Sequence, residues 1–298
     1  MQALWMLLAA LLFATMGVCI KFASAWFSSF EIVFYRGLIG LAFMAAVMRW
    51  RGVSIATPVP MMHFWRSVVG TTALTTWFFS IAMLPLATSM TLNYMSSVWI
   101  AAFLVGGALL MQKQGEVLRE QGPLILTVLA GFGGVALMLR PTMADGQLFG
   151  GLLGLVSGVF SALAYLQVSA LSKAGEPESR TVFYFSLGAS LAGGVGMLVD
   201  GPHAWDGAHA LWLLPIGLLA VLGQLCMTRA YASGATLLVA NLQYMGIVFA
   251  GIYSIVIFDD RLPPVGWAGM ALIIASGILA TLLRNRTVPQ APPEDHAS

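Results

Sequence analysis

The segment from Ala82 to Ile100 (AMLPLATSMTLNYMSSVWI) is echoed by Ala230 to Val248 (AYASGATLLVANLQYMGIV). In register, Ala82 falls on Ala230, Ala87 on Ala235, Thr88 on Thr236 and Asn93 on Asn241. The match resumes downstream, with Gly122 on Gly266, Gly133 on Gly277, Ala136 on Ala280 and Arg140 on Arg284. The chain is one half written twice, and each half is almost wholly apolar. A fold built from two such halves must bury or lipidate nearly every side chain while satisfying its backbone internally.

Composition decides between those routes. Of 298 residues, 59% are hydrophobic and 9% charged, against about 25% charged in soluble domains. There are too few polar side chains to coat a globule of this size. A bilayer reverses the requirement, because lipid-facing surfaces must be apolar and backbone groups must be paired within helices or a closed barrel. The apolar runs here are of helix length, about 20 residues, rather than barrel-strand length. The implied class is an all-α integral membrane protein with the lipid bilayer as its main partner.

Ten candidate spans follow from apolar windows bounded by charge, Pro and Gly. They run over 3–20, 30–48, 64–82, 87–110, 123–139, 148–171, 181–199, 210–231, 235–258 and 265–283. The first is read as a retained helix rather than a signal peptide, since no basic residue precedes it. With the N-terminus inside, cytoplasmic segments collect Arg49, Arg51, Arg66, Lys113, Arg119, Lys173, Arg180, Arg229, Arg284 and Arg286. The other side receives Lys21, Arg140 and Arg261. Under the positive-inside rule this asymmetry places both termini in the cytoplasm. Five spans per copy then make the second copy enter from the opposite face. The expected architecture is ten transmembrane helices as two inverted five-helix repeats, residues 1–141 and 147–285, followed by a disordered cytoplasmic tail, 286–298.

Inverted apolar repeats are a signature of secondary transporters, and further residues carry a resemblance. Glu116 stands six positions before Gly122, and Asp260 six before Gly266. The run ALLFATMGVCIKFA followed by FYRGLIGLAF opens the first copy. In these features the chain resembles the EamA family of the drug/metabolite transporter superfamily, over roughly residues 4–283. The resemblance implies a basket of eight helices around a central cavity, with the fifth and tenth packed outside. It also implies a bacterial inner-membrane location and a small-molecule cargo. Related proteins move amino acids, riboflavin, nucleoside derivatives, metal-chelating metabolites and drugs. Gly131, Gly133 and Gly134, with Gly269, Ser276 and Gly277, suit close packing of those outer helices, as Gly154 and Gly158 do in the sixth. The same Gly-rich faces suit a homodimer.

Several classes are disfavoured. Net charge of +2 argues against nucleic acid. Cys19 and Cys226 sit in apolar runs without ligand spacing, so they read as core residues. No pattern calls for a cofactor or metal, and no HExxH or Ser/His/Asp set points to an enzyme. A receptor or assembly factor would not need inverted repeats. Every acidic residue lies in a loop, a helix end or the tail. Coupling through a buried carboxylate is therefore not expected, and the cargo should be neutral, zwitterionic or anionic.

A transporter site should be an apolar concavity with a few convergent polar groups. The candidates are Arg36, Trp77, Asn93, Tyr94, Trp99, Tyr165, Gln167, Gln224, Asn241 and Tyr244. Arg36 is the one strong charge inside a predicted span. It either snorkels to headgroups or pairs with Glu31, or it faces the cavity and holds a carboxylate or phosphate. Lys21 reads as an interface anchor. Asn93 and Asn241 either bond between helices or touch cargo. Thr71, Thr72, Thr75 and Thr76 are expected to bond back to their own helix. The expected activity is metabolite transport by alternating access, with export of an amino acid or related solute ahead of import of a vitamin, nucleoside or nucleotide-like metabolite such as riboflavin.

Overall fold

A computed structural model describes residues 2–96, 98–100, 102, 103, 106, 122, 123, 125–137, 147–201, 207–232 and 242–287. Glu116, Asn241, Lys113, Arg119, Arg140, Trp205 and the tail from 288 lie outside these residues. Every regular element among the described residues is helical. In chain order these are α1 (Gln2–Ala23), α2 (Ser29–Arg51), α3 (Pro60–Met83), α4 (Leu86–Tyr94) and α5 (Ile125–Leu137). There follow α6 (Leu148–Lys173), α7 (Glu178–Asp200), α8 (Leu213–Ala232), α9 (Met245–Val256) and α10 (Pro264–Thr287). A 3-10 turn, His209–Trp212, leads into α8.

Local signals set the boundaries. Ser28 caps α2 through a capping box: its hydroxyl accepts from the Glu31 amide, and the Glu31 carboxylate accepts from the Ser28 amide at 2.6 Å. Gly52, at φ 67°, ends α2 in the left-handed conformation that a Cβ disfavours. Pro60 opens α3, where its missing N–H costs nothing.

Among the described residues, five segments are long and apolar enough to cross a bilayer: Leu4–Ala23, Ser29–Arg51, Leu148–Lys173, Glu178–Asp200 and His209–Tyr231. Ile125–Leu137, Met245–Val256 and Pro264–Leu279 are shorter apolar helices. At 24 residues α3 has the length but not the apolarity. His63, Arg66 and its threonines lower it; Thr72 and Thr76 bond back to the carbonyls of Val68 and Thr72 as expected, whereas the Thr71 hydroxyl is buried without a partner among the described residues.

The bundle is organised around α2 against α7. There the backbones nearly touch: a Cβ on Gly37 would lie 2.5 Å from the Ser190 nitrogen, and one on Gly193 2.5 Å from that of Phe34. Small residues give this approach in a medium that supplies no hydrophobic drive between helices. Around that axis α3 packs on α6 and α1 on α8, α2 on α8 and α3 on α7, α4 on α6 and α1 on α9, and α4 on α9.

The sequence predicts continuous fourth and ninth spans, and the structure interrupts both. A turn at Met95 follows α4, and a turn at Gln243 and Tyr244 precedes α9. In the register of the internal echo these breaks fall on one another. They are also joined, because the Gln243 amide donates to the Ser96 hydroxyl at 3.1 Å and accepts from the Tyr231 hydroxyl at 3.0 Å. Broken helices persist at membrane depth only where other protein groups satisfy the freed polar atoms. Around these two breaks the side chains bond to one another, Gln243 to Ser96 and Tyr231, and Asn93 to Ser157 and Ser161. The Gln243 amide is committed to this bracing.

Candidate functional site

A cavity lies at the centre of the bundle, walled by α1 to α4 and α6 to α8, with no lining residue from α5 or α10. Its volume is about 60 Å³, room for a few waters, so a metabolite would require the helices to part. Six of the ten candidates line it: Arg36, Trp77, Asn93, Tyr94, Tyr165 and Gln224. Phe13, Leu74, Phe185 and Met227 supply apolar surface between them.

The charge of the cavity comes from two arginines. Arg36 on α2 and Arg66 on α3 are 4% and 3% exposed. Their guanidinium carbons sit 5.3 and 4.3 Å from the centre of the Phe185 ring on α7, cation–π contacts for both. Among the described residues no carboxylate lines the cavity. Glu31, the acid nearest Arg36 in sequence, serves the capping box of α2. The Nε of Arg36, the Nε and Nη1 of Arg66 and the indole nitrogen of Trp77 are all buried with no hydrogen-bond partner.

Arg66 is the residue missed in the sequence, where its place two positions inside the predicted third span reads as a cytoplasmic anchor. The structure turns it inward instead. Its guanidinium lies against Gly70, one turn further along α3, where a Cβ would collide with Nη1. The small residue four positions on is the signal that this arginine runs along its own helix into the bundle.

Neutral groups complete the wall. Asn93 donates to the hydroxyls of Ser157 and Ser161 at 3.0 and 3.1 Å, so its amide hydrogens tie α4 to α6 while the residue lines the cavity. Tyr165 stacks on Tyr231 at 5.8 Å, and Tyr231 holds the Gln243 brace. The wall is thereby linked to the two helix breaks.

Three candidates among the described residues are not brought to this cavity. Trp99 packs edge-on against Phe132 of α5 at 4.9 Å. Tyr244 rests on Gly277 of α10, where any Cβ would meet its hydroxyl. Gln167 sits beside Met61, Met62 and Trp65 at a separate recess. Asn241 lies outside the described residues. Lys21, read as an interface anchor, instead donates to the Leu84 carbonyl and joins the end of α1 to the end of α3.

A second polar cluster closes the end of the bundle where α2 stops and α3 starts. The Glu176 carboxylate accepts from Thr57 at 2.9 Å and from Arg180 at 3.1 and 3.2 Å, and lies 3.0 Å from His63 Nε2. Burial pushes this carboxyl upward, but the bonds from His63, Thr57 and Arg180 outweigh it and hold it below the ordinary range. Arg180 and Tyr184 also donate to the carbonyls of Ser54 and Ile55.

Comparison with known proteins places this arrangement. Residues 148–282 match the EamA-like transporter family. The chain is similar to the pseudopaline exporter CntI of Pseudomonas aeruginosa, 32% identical over 279 residues, covering 91% of this chain and 90% of that protein. An uncharacterized transporter of Helicobacter pylori is 28% identical, covering 93% of each chain. A riboflavin transporter of Rhizobium johnstonii is 24% identical, covering 95% of this chain and 91% of that protein. One solved crystal structure shares the fold, with a TM-score of 0.64 at 18% identity over 96% of this chain and 98% of the other.

Proposed function

The chain belongs to the EamA-like transporter family, and from that membership we propose that it exports a small organic metabolite across the bacterial inner membrane by alternating access. The family makes it a multi-pass transporter rather than an enzyme. The proposed architecture is ten spans in two inverted repeats, residues 1–141 and 147–285, with both termini and the tail from 286 in the cytoplasm. Helix packing supports a two-fold relation between the halves, which five spans per half would make an inversion. Exchanging each helix with the one five places on turns α3 on α6 into α8 on α1, α2 on α8 into α7 on α3, and α4 on α6 into α9 on α1; every one of these pairs is in contact. With Arg66 withdrawn to the interior, nine basic residues against three still favour cytoplasmic termini.

The observation that carries the reading is one central cavity that receives Arg36, Arg66, Trp77, Asn93 and Tyr94 from the first half and Tyr165 and Gln224 from the second. A site shared between two rocking halves can open to either side in turn. Export is favoured by the likeness to a protein named as an exporter. The test is efflux from proteoliposomes loaded with a metabolite panel. Faster loss of defined solutes than from empty-membrane controls is expected, and no difference across the panel overturns the proposal. A second reading, import of a flat aromatic metabolite, draws on the rings of Trp77, Tyr94, Tyr165 and Phe185 and on the likeness to a protein named as a riboflavin transporter. Uptake of riboflavin into right-side-out vesicles distinguishes it.

A further inference from the structure

Four donor nitrogens of residues lining the central cavity are buried and unpartnered: one on Arg36, two on Arg66 and one on Trp77. Arginine and tryptophan side chains can only donate. Buried polar groups are paired in the great majority of native structures, so a cluster of orphan donors at one cavity needs an explanation. Two of the donors' side chains are also cations. They lie over the same Phe185 ring, and among the described residues no carboxylate shares their cavity. Like charges in a low-dielectric interior repel, and an apolar or neutral side chain would serve stability better at either position. In a chain with only 9% charged residues, structure alone does not account for placing two of them there.

The missing component is an acceptor, and its charge can be stated. One anionic group would neutralise one guanidinium and leave the second exposed to the same penalty. We propose that the cargo is a small organic dianion, a molecule with two acidic groups or one doubly ionised phosphate, held by Arg36 and Arg66 together. The distances of the two guanidinium carbons from one ring centre set an upper limit on their separation that a small diacid bonded to one guanidinium at each end can reach. Each planar fork can take a carboxylate or phosphate through paired bonds. Gly70 clears the space that Arg66 needs to reach its place.

This inference rests on the transport reading, and the experiment separates the two. A small-molecule extract of bacterial cytosol is split by anion exchange into neutral and zwitterionic, singly anionic and doubly anionic fractions. Each fraction is sealed in proteoliposomes of the full chain, and mass spectrometry follows what leaves. Doubly anionic compounds should leave at least tenfold faster than the other classes, with dicarboxylates and phosphate esters scored separately to identify the acid. Arg66→Gln should lower dianion efflux at least tenfold and raise the share of single anions, while Arg66→Lys keeps part of the dianion preference. A merely structural Arg66 would depress all fractions alike, and that result overturns the inference. So does a wild-type protein that moves single anions or zwitterions as fast as dianions, which leaves the transport reading intact. If no fraction moves, the transport reading falls and this inference with it. Should Arg66→Gln fail to insert, the wild-type fractions alone decide.

Discussion

The Glu176 cluster and the central cavity both bury charge, and they do so on opposite terms. At Glu176 a carboxylate is met by Thr57, His63 and Arg180, and the Arg180 guanidinium finds its acid at 3.1 Å. In the cavity, Arg36 and Arg66 have an aromatic ring and no acid. A buried charge that is paired and hydrogen-bonded holds its neighbours in place, whereas an unpaired one stores free energy until something arrives to release it. The first arrangement binds residues 54–63 to residues 176–184 across the two halves. In the proposed orientation that is a latch on the cytoplasmic end. The second arrangement is left for cargo. Their mutational signatures should therefore invert: changes in the latch cost stability and spare affinity, and changes in the cavity do the reverse.

The largest effect is expected at Arg36. Arg36→Gln removes an uncompensated buried cation, so thermal melting of the detergent-solubilised protein should stay level or rise. Cargo efflux should fall at least tenfold, the loss of about 1.4 kcal/mol of binding or more. If melting falls as far as in the latch variants below, Arg36 is holding the fold and the contrast collapses.

Gly70→Ala sharpens the same contrast without touching charge. The new methyl would overlap Arg66 Nη1 and lie 2.9 Å from Phe185 Cε2, so the guanidinium must shift. A loss of several-fold in cargo affinity is expected with a small change in melting. In an Arg66→Gln background the same substitution should do almost nothing, because contacting residues couple and a removed one cannot.

In the latch, Glu176→Gln leaves Arg180 and His63 facing a neutral amide. Weakened charge-assisted bonds should cost about 1–3 kcal/mol of stability, seen as a lower melting temperature with cargo affinity unchanged. The pH dependence has a definite sign. The folded carboxyl is held below its ordinary value of 4.5, so its stabilising contribution is complete above that value. It is lost as pH falls from there through the lowered folded value. Wild type should therefore lose its melting advantage over Glu176→Gln as the sample is acidified below about pH 4.5. A gap that persists at low pH would mean that the ionised carboxylate is not what stabilises this end.

What could be read from the sequence divides along the same line. Arg36, Asn93, Tyr94, Trp77, Tyr165 and Gln224 stand out as polar or aromatic residues deep in apolar runs, where a helix tolerates them only with a use. Arg66 did not stand out, because near a span end an arginine is the ordinary mark of the cytoplasmic boundary. Trp99, Gln167 and Tyr244 share the depth of the true lining residues but face elsewhere. In helices apolar on every side, periodicity does not reveal which face turns inward. Trp99 went to Phe132 and Tyr244 to Gly277 for reasons of fit that only the packed structure contains. The paired breaks at Met95 and Gln243 were latent in the echo, since polar residues cluster at matching places in both copies. The bond from Gln243 to Ser96 was not.

The smallest effect belongs to the edge of the latch. Tyr184 stacks on His63 at 4.6 Å and donates to the Ile55 carbonyl at 3.0 Å. Tyr184→Phe keeps the ring and removes the donor, leaving an exposed carbonyl that water can satisfy. A cost of about 0.5 kcal/mol is expected, within reach of chemical denaturation, and efflux should not change. A drop as large as that of Glu176→Gln would move the weight of the latch from its carboxylate to the strand of chain at residues 54–57, which Arg180 and Tyr184 hold through Ser54 and Ile55. The end of the bundle would then be closed by a fastened loop, and the unpaired arginines would have no paired-charge counterpart in it.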